Sequence, residues 1–237
     1  MRARINLVTS DVAVIDDFLT QPDFRALRGY LNSTAFVQGL KGETIWKDDG
    51  HDPLEGSVVV AWPLMFPFTR LSGLLSNFAL PAFGCEVRFF PANNALDHVL
   101  RSVREAAQSL GDIVGEEGAN WIGLTAQPYQ YSSGAQSSWH TDGVYAGAYI
   151  LYAHEFWDKE WGGELLFTNK KDPGIAGHFV APVPNRLVVI RGGTPHKVAT
   201  VSQRAHENAR ISVVGFFVNT AALSHLFKIS RSFVRRQ

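Results

Sequence analysis

The chain has 237 residues, and its 22 Lys+Arg balance 22 Asp+Glu, so the formal net charge is zero. That balance excludes a dominant nucleic-acid footprint, which needs a basic excess, and a charged disordered tail. A hydrophobic content of 46%, with 12% aromatic residues, is ample for one sizeable core. The single cysteine, Cys85, excludes a disulfide framework and any CxxC zinc or redox motif. The opening MRARINLVTSD is too polar for a signal-peptide core. The longest apolar stretch, Val58 to Phe68, is broken by Pro63 and Pro67. The expectation is a cytoplasmic chain with no membrane partner.

In chain order, Val12 to Ile15 reads as a short strand. Thr20-Gln-Pro-Asp23 then resembles a capping box opening a helix, with Phe24, Leu27, Tyr30 and Leu31 along one face. Leu71, Leu74, Leu75 and Phe78 suggest a second amphipathic helix stopped by Pro81. Leu96, Val99, Leu100, Val103, Ala107 and Leu110 predict a third, with Gly111 as its stop. Beyond about residue 118 the segments become short, β-branched and aromatic, punctuated by Gly, Pro and Asn. Strands are expected near 121–131, 147–152, 164–167, 186–191, 197–201 and 211–218.

Helices first and antiparallel strands afterwards predict an α+β protein with a jelly-roll core. The expected organisation is a single domain over 1–237. Residues 1–118 form a mainly helical supporting part, 119–220 the core, and 221–237 a C-terminal helix or tail.

Ser138-Trp-His-Thr-Asp142 carries the first chemical signal. His140 and Asp142 lie two apart, so on an extended segment both project to the same face. His196 follows the apolar strand 186–191. Two histidines and a carboxylate make the facial set typical of non-haem Fe(II) oxygenases, leaving three coordination positions open. Downstream, alternation puts Arg210, Ser212, Val214 and Phe216 on one strand face. An arginine opening a buried row is costly unless it meets an anion, and a guanidinium with a hydroxyl suits a carboxylate. Arg204, in the polar loop 202–208, is the competing cation; the strand position favours Arg210. Tyr131 can present a phenol to the same anion.

These elements, in this order, resemble the Fe(II)/2-oxoglutarate-dependent dioxygenase superfamily, and within it the prolyl-hydroxylase-like branch. The residues that carry the resemblance are Tyr131-x-x-Gly134, His140-x-Asp142, Trp161-Gly-Gly-Glu-Leu-Leu-Phe167, Asn185-Arg-Leu-Val-Val-Ile190 leading to His196, and Arg210-x-Ser212. Val14-Ile-Asp-Asp-Phe-Leu19 before a capped helix is similar to that branch's opening. The resemblance covers residues 120–218. It implies a double-stranded β-helix (jelly roll, cupin-like) with N-terminal supporting helices. It implies iron held by His140, Asp142 and His196, and 2-oxoglutarate held by Arg210, Ser212 and Tyr131. The cofactors would be Fe(II), 2-oxoglutarate and O2, with ascorbate as reductant. The reaction would hydroxylate a C–H bond and yield succinate and CO2.

The substrate is open at this stage. Trp139, Tyr145 and Arg191 flank the motifs and are candidate substrate contacts. A small molecule, a free amino acid or a natural-product intermediate, is the preferred substrate. A prolyl or other residue in a peptide or protein is the alternative. A second anion clamp beside the iron would favour the former, an open groove the latter. A zinc hydrolase using the same ligands is the competing chemistry; it would leave Arg210-x-Ser212 without a role and needs a general base.

Overall fold

The computed structural model describes residues 5–38, 52–61, 87–168 and 177–219. The expected helix at 71–78 and the C-terminal helix or tail at 221–237 lie outside these residues.

Helix α1 (Gln21–Asn32) starts where expected: the Thr20 side chain accepts from the Asp23 amide, and Pro22 sits in the first turn, where its missing N–H costs nothing. Phe24, Leu27 and Leu31 are its buried stripe. Helix α2 (Ala95–Ala107) is capped by Asn94 and buries Leu96, Val99, Leu100, Val103 and Ala107. Its end differs from expectation. Gln108 is the C-cap, and Gly111 instead opens the short helix α3 (Gly111–Val114), whose Ile113 and Val114 are buried.

Thirteen strands are found among the described residues: β1 (Ile5–Thr9), β2 (Val12–Ile15), β3 (Val37–Gln38), β4 (Leu54–Glu55), β5 (Val58–Ala61), β6 (Val87–Phe89), β7 (Gly123–Tyr131), β8 (Gly147–Tyr152), β9 (Leu165–Thr168), β10 (Gly177–Val180), β11 (Leu187–Arg191), β12 (His196–Val198) and β13 (Arg210–Val218). The major sheet has the order β1-β2-β11-β8-β13-β7-β4-β3, with β5 and β6 branching from β7; a minor sheet runs β10-β9-β12. The pairings are antiparallel except β5 with β6. Facing antiparallel sheets of this topology form the jelly roll that the sequence implies.

The N-terminal part is not only a helical support. Its six strands extend the major sheet: β2 pairs with β11, and β4 and β5 pair with β7. These strands are two to five residues long, too short for a period-2 signal to stand out.

Strand alternation gives the major sheet two distinct faces. Ala13, Ile15, Tyr149, Leu151, Leu187, Val189, Val213 and Phe217 pack against α1, α2 and α3 in one core. Val12, Val14, Ile150, Tyr152, Val188 and Ile190 point the other way, onto Leu165, Phe167 and Val180 of the minor sheet. Gly215 lies where β13 passes under the Tyr149 ring; a Cβ there would come within 2.5 Å of that ring and 1.8 Å of the Thr125 carbonyl oxygen. The inner layer is where the site lies.

Candidate active site

His196 opens β12, and the preceding segment brings His140 alongside it. The two residues exchange both backbone hydrogen bonds, each at 3.0 Å, so their side chains leave the sheet together. The imidazole centroids lie 4.3 Å apart. Asp142 Oδ2 is 3.3 Å from His196 Nε2. One ligand atom from each of the three residues lies within 4.8 Å of the others, a group that could hold a metal ion. Asp142 and His196 are buried.

Backbone carbonyls orient both rings. His140 Nδ1 lies 2.7 Å from Ser138 O, and His196 Nδ1 lies 2.9 Å from Thr194 O. A ring that donates through Nδ1 leaves the Nε2 lone pair for a metal. Burial, reinforced by the neighbouring His196 ring, lowers the proton affinity of His140, although the Ser138 carbonyl and Asp142 act in the opposite direction. The neutral form that a metal needs is therefore favoured.

The three residues share a cavity of about 550 Å³, open mouth included, whose lining also has Tyr129, Tyr131, Ser137, Arg210 and Phe216. Arg210, at the start of β13, is 1% exposed. Its guanidinium lies between two rings, with Tyr131 at 4.9 Å and Tyr152 at 4.8 Å. Nη1 donates to Ser212 Oγ at 3.3 Å, whereas Nε and Nη2 are buried with no hydrogen-bond partner among the described residues. Gly163 lies against the arginine stem: its φ is +73°, and a Cβ there would come within 2.9 Å of Arg210 Cδ. Burial pushes the Tyr131 hydroxyl up, only partly opposed by Arg210, so it stays a proton donor at neutral pH.

Residues 126–218 match the sequence profile of the 2OG-Fe(II) oxygenase superfamily. Over that segment, less than half of its length, the chain is similar to that superfamily. For this chain the similarity implies an oxidoreductase using Fe(II), 2-oxoglutarate and O2, with His140, Asp142 and His196 as the candidate metal group. No curated protein sequence matches the chain significantly. Its fold is shared with a Pseudomonas putida prolyl-4-hydroxylase (TM-score 0.56, 18% identity, covering 90% of this chain and 95% of the other). It is also shared with a Trichoplax adhaerens prolyl hydroxylase solved with a hypoxia-inducible-factor peptide fragment (0.57, 16%, 91% and 87%). A Burkholderia pseudomallei 2OG-Fe(II) family oxidoreductase is a third neighbour (0.54, 14%, 90% and 92%).

The donor set fits these cofactors. Imidazole nitrogens and a carboxylate suit ferrous iron, and the two unpartnered N–H groups of Arg210 are what a carboxylate of the keto diacid would satisfy. The zinc-hydrolase alternative loses its support, because among the described residues no second carboxylate lines the cavity to act as base. Arg204, the competing cation, is exposed and 3.5 Å from Glu160.

The remaining candidates separate. Ser212 is fully buried and holds Arg210 rather than lining the cavity. Tyr145 is stacked on Phe216, with centroids 4.2 Å apart, and burial together with the Asp142 charge raises its hydroxyl. Trp139 is 51% exposed and does not line the cavity. Arg191 is a correction. It shares the outward parity of Leu187 and Val189, so it points away from the cavity, pairs with Asp11 at 2.7 Å, and donates to the Ser10 and Asp112 carbonyls. Its role is to fasten the N-terminal hairpin. Tyr152 was missed by motif reading, yet alternation along β8 predicts its inward position, directly opposite Ser212.

Proposed function

We propose that the chain is a 2OG-Fe(II) oxygenase that hydroxylates an uncharged, apolar residue within a peptide or protein segment, with His140, Asp142 and His196 as iron ligands and Arg210 as the anchor for 2-oxoglutarate. Arg210 is the only cation lining the cavity among the described residues, and this observation carries the reading. Once its free N–H groups engage the distal carboxylate of the cosubstrate, nothing else there clamps a substrate anion. A free amino acid would have to bring its own carboxylate into an apolar pocket, at a desolvation cost. Trp139 and Val144, beside the ligands in sequence, are large apolar side chains left in solvent, as a surface that receives a partner would have them.

Each residue has a definite task. The two imidazoles and the Asp142 carboxylate would take one face of the metal and leave the other positions for cosubstrate and O2. When bound, iron with 2-oxoglutarate and O2 supplies the oxidising power, and the cosubstrate leaves as succinate and CO2. Arg210, fixed by Ser212 and the Tyr131 and Tyr152 rings, would orient the keto diacid, and protonated Tyr131 could add a hydrogen bond. Leu165, Val198, Val214 and Phe216 keep the cavity apolar and limit water.

The test is succinate release by the Fe(II)-loaded protein with two substrate panels, unblocked amino acids and neutral peptides with capped ends. Peptides should stimulate release and gain one oxygen atom. Stimulation by free amino acids alone would overturn the substrate assignment and leave the oxygenase chemistry standing.

A further inference from the structure

The segment before His140 runs antiparallel to β12 and the residues that follow it, but its ladder is irregular. Ser137 N donates to Val198 O at 3.2 Å, and the next pairing is His140 with His196. One strand therefore advances three residues while the other advances two: a β-bulge at Ser138-Trp139. In a regular strand, residues three apart point to opposite faces. Here Ser137 and His140 both line the cavity, and Trp139 is turned to solvent. Bulges commonly re-aim a side chain next to a site in this way.

Two details show how this bulge is held. The Val198 amide donates at 2.7 Å to the Ser137 hydroxyl oxygen, in the place where a ladder would use the Ser137 carbonyl. The Ser138 carbonyl is the group that meets His140 Nδ1. We infer that Ser137 is a positioning residue: its hydroxyl pins the bulge that turns His140 toward His196 and frees the Ser138 carbonyl to orient the imidazole. The inference rests on His140 and His196 being metal ligands, as proposed above.

The experiment pairs metal affinity with backbone protection in Ser137→Ala. Co(II) titration of the metal-free protein should show weakening of roughly tenfold or more, the scale on which ligand-orienting groups act. In the metal-free state, hydrogen exchange at the Val198 amide should speed up. Ser137→Thr, which keeps the hydroxyl, should restore both. Asn185→Ala is the stability control. It removes a buried side chain, outside the cavity lining, that bonds the Leu19 amide and carbonyl, and should lower Tm without weakening Co(II) binding. If Ser137→Ala does not fold, isosteric Ser137→Cys, a much weaker acceptor, replaces it. Unchanged affinity in the alanine or cysteine variant, failure of threonine to rescue, or equal weakening in Asn185→Ala would overturn the positioning role. Absence of Co(II) binding by the wild type would instead overturn the ligand assignment, and Val198 exchange would still test the bulge.

Discussion

The two faces of the major sheet come from the same strands and carry opposite burdens. Along β13, Val213 and Phe217 belong to the apolar core shared with the helices, and Ile211 packs against it. Arg210 and Ser212 alternate with them on the other face, with Val214 and Phe216 further along, and there a buried guanidinium keeps two N–H groups without a partner. The outer face supplies hydrophobic burial and asks nothing of a ligand. The inner face carries desolvated polar groups whose cost its own partners offset in part and a bound ion or anion would relieve further. Stability and chemistry are thus divided by side-chain parity.

Mutations should expose that division. The largest effect is expected for His196→Ala, which removes a candidate ligand outright: metal binding in a Co(II) titration should fall by more than the roughly 10–100-fold that losing an outer partner costs, and succinate formation should stop. On the outer face, Phe217→Ala should lower unfolding stability by about 3–5 kcal/mol in urea melts. Metal affinity measured below its midpoint should be unchanged. A comparable loss of metal binding there would mean that the two faces are not separable.

Arg210→Met reverses that pattern. Affinity for 2-oxoglutarate should fall by about 2–5 kcal/mol in binding free energy, thirtyfold or more. The ligand-free protein should be at least as stable as wild type, because a buried charge with unanswered donors is gone. A clear drop in ligand-free Tm would show that the Tyr131 and Tyr152 rings outweigh that cost.

His154 allows a pH test. It is buried between Tyr152 and Trp157, and burial lowers its pKa to about 4 even though it meets the Pro182 carbonyl. The unfolded chain, with a histidine pKa of about 6.5, binds the extra proton first. Its contribution to stability is therefore full above about pH 6.5 and is lost as pH falls toward 4, by on the order of 3 kcal/mol. His154→Gln should flatten this part of the stability–pH profile. The smallest effect is expected for Arg191→Ala. Loss of its partly exposed pair with Asp11 should cost about 1 kcal/mol or less, and 2-oxoglutarate affinity should be untouched.

Much of the site was legible in the residues themselves. His140-x-Asp142 shares a face by parity alone, and alternation placed Arg210 inward before any contact was known. The same rule, applied to β8, would have found Tyr152; it went unseen because a tyrosine closing an apolar strand looks like ordinary core. Arg191 misled for the opposite reason. Its nearness to His196 in the chain suggested the site, yet its parity matches Val189 and sends it to the helices. Ser137 and the bulge were hidden because an extra residue in a strand leaves no mark in composition or period. The short strands of the first 118 residues were missed because two- to five-residue segments hold too few alternations to read.

The amino-acid sequence on its own determined most element types, the candidate ligand pair His140 and Asp142, and the arginine of the inward row, since each follows from local periodicity and the chemistry of a side chain. Only the tertiary structure decided that His196, already a candidate from the resemblance, lies paired beside His140, that two tyrosine rings hold Arg210, and that a bulge turns His140 inward. Those facts depend on which strands lie side by side and in what register, and register is set by the packing of the whole sheet rather than by any one segment.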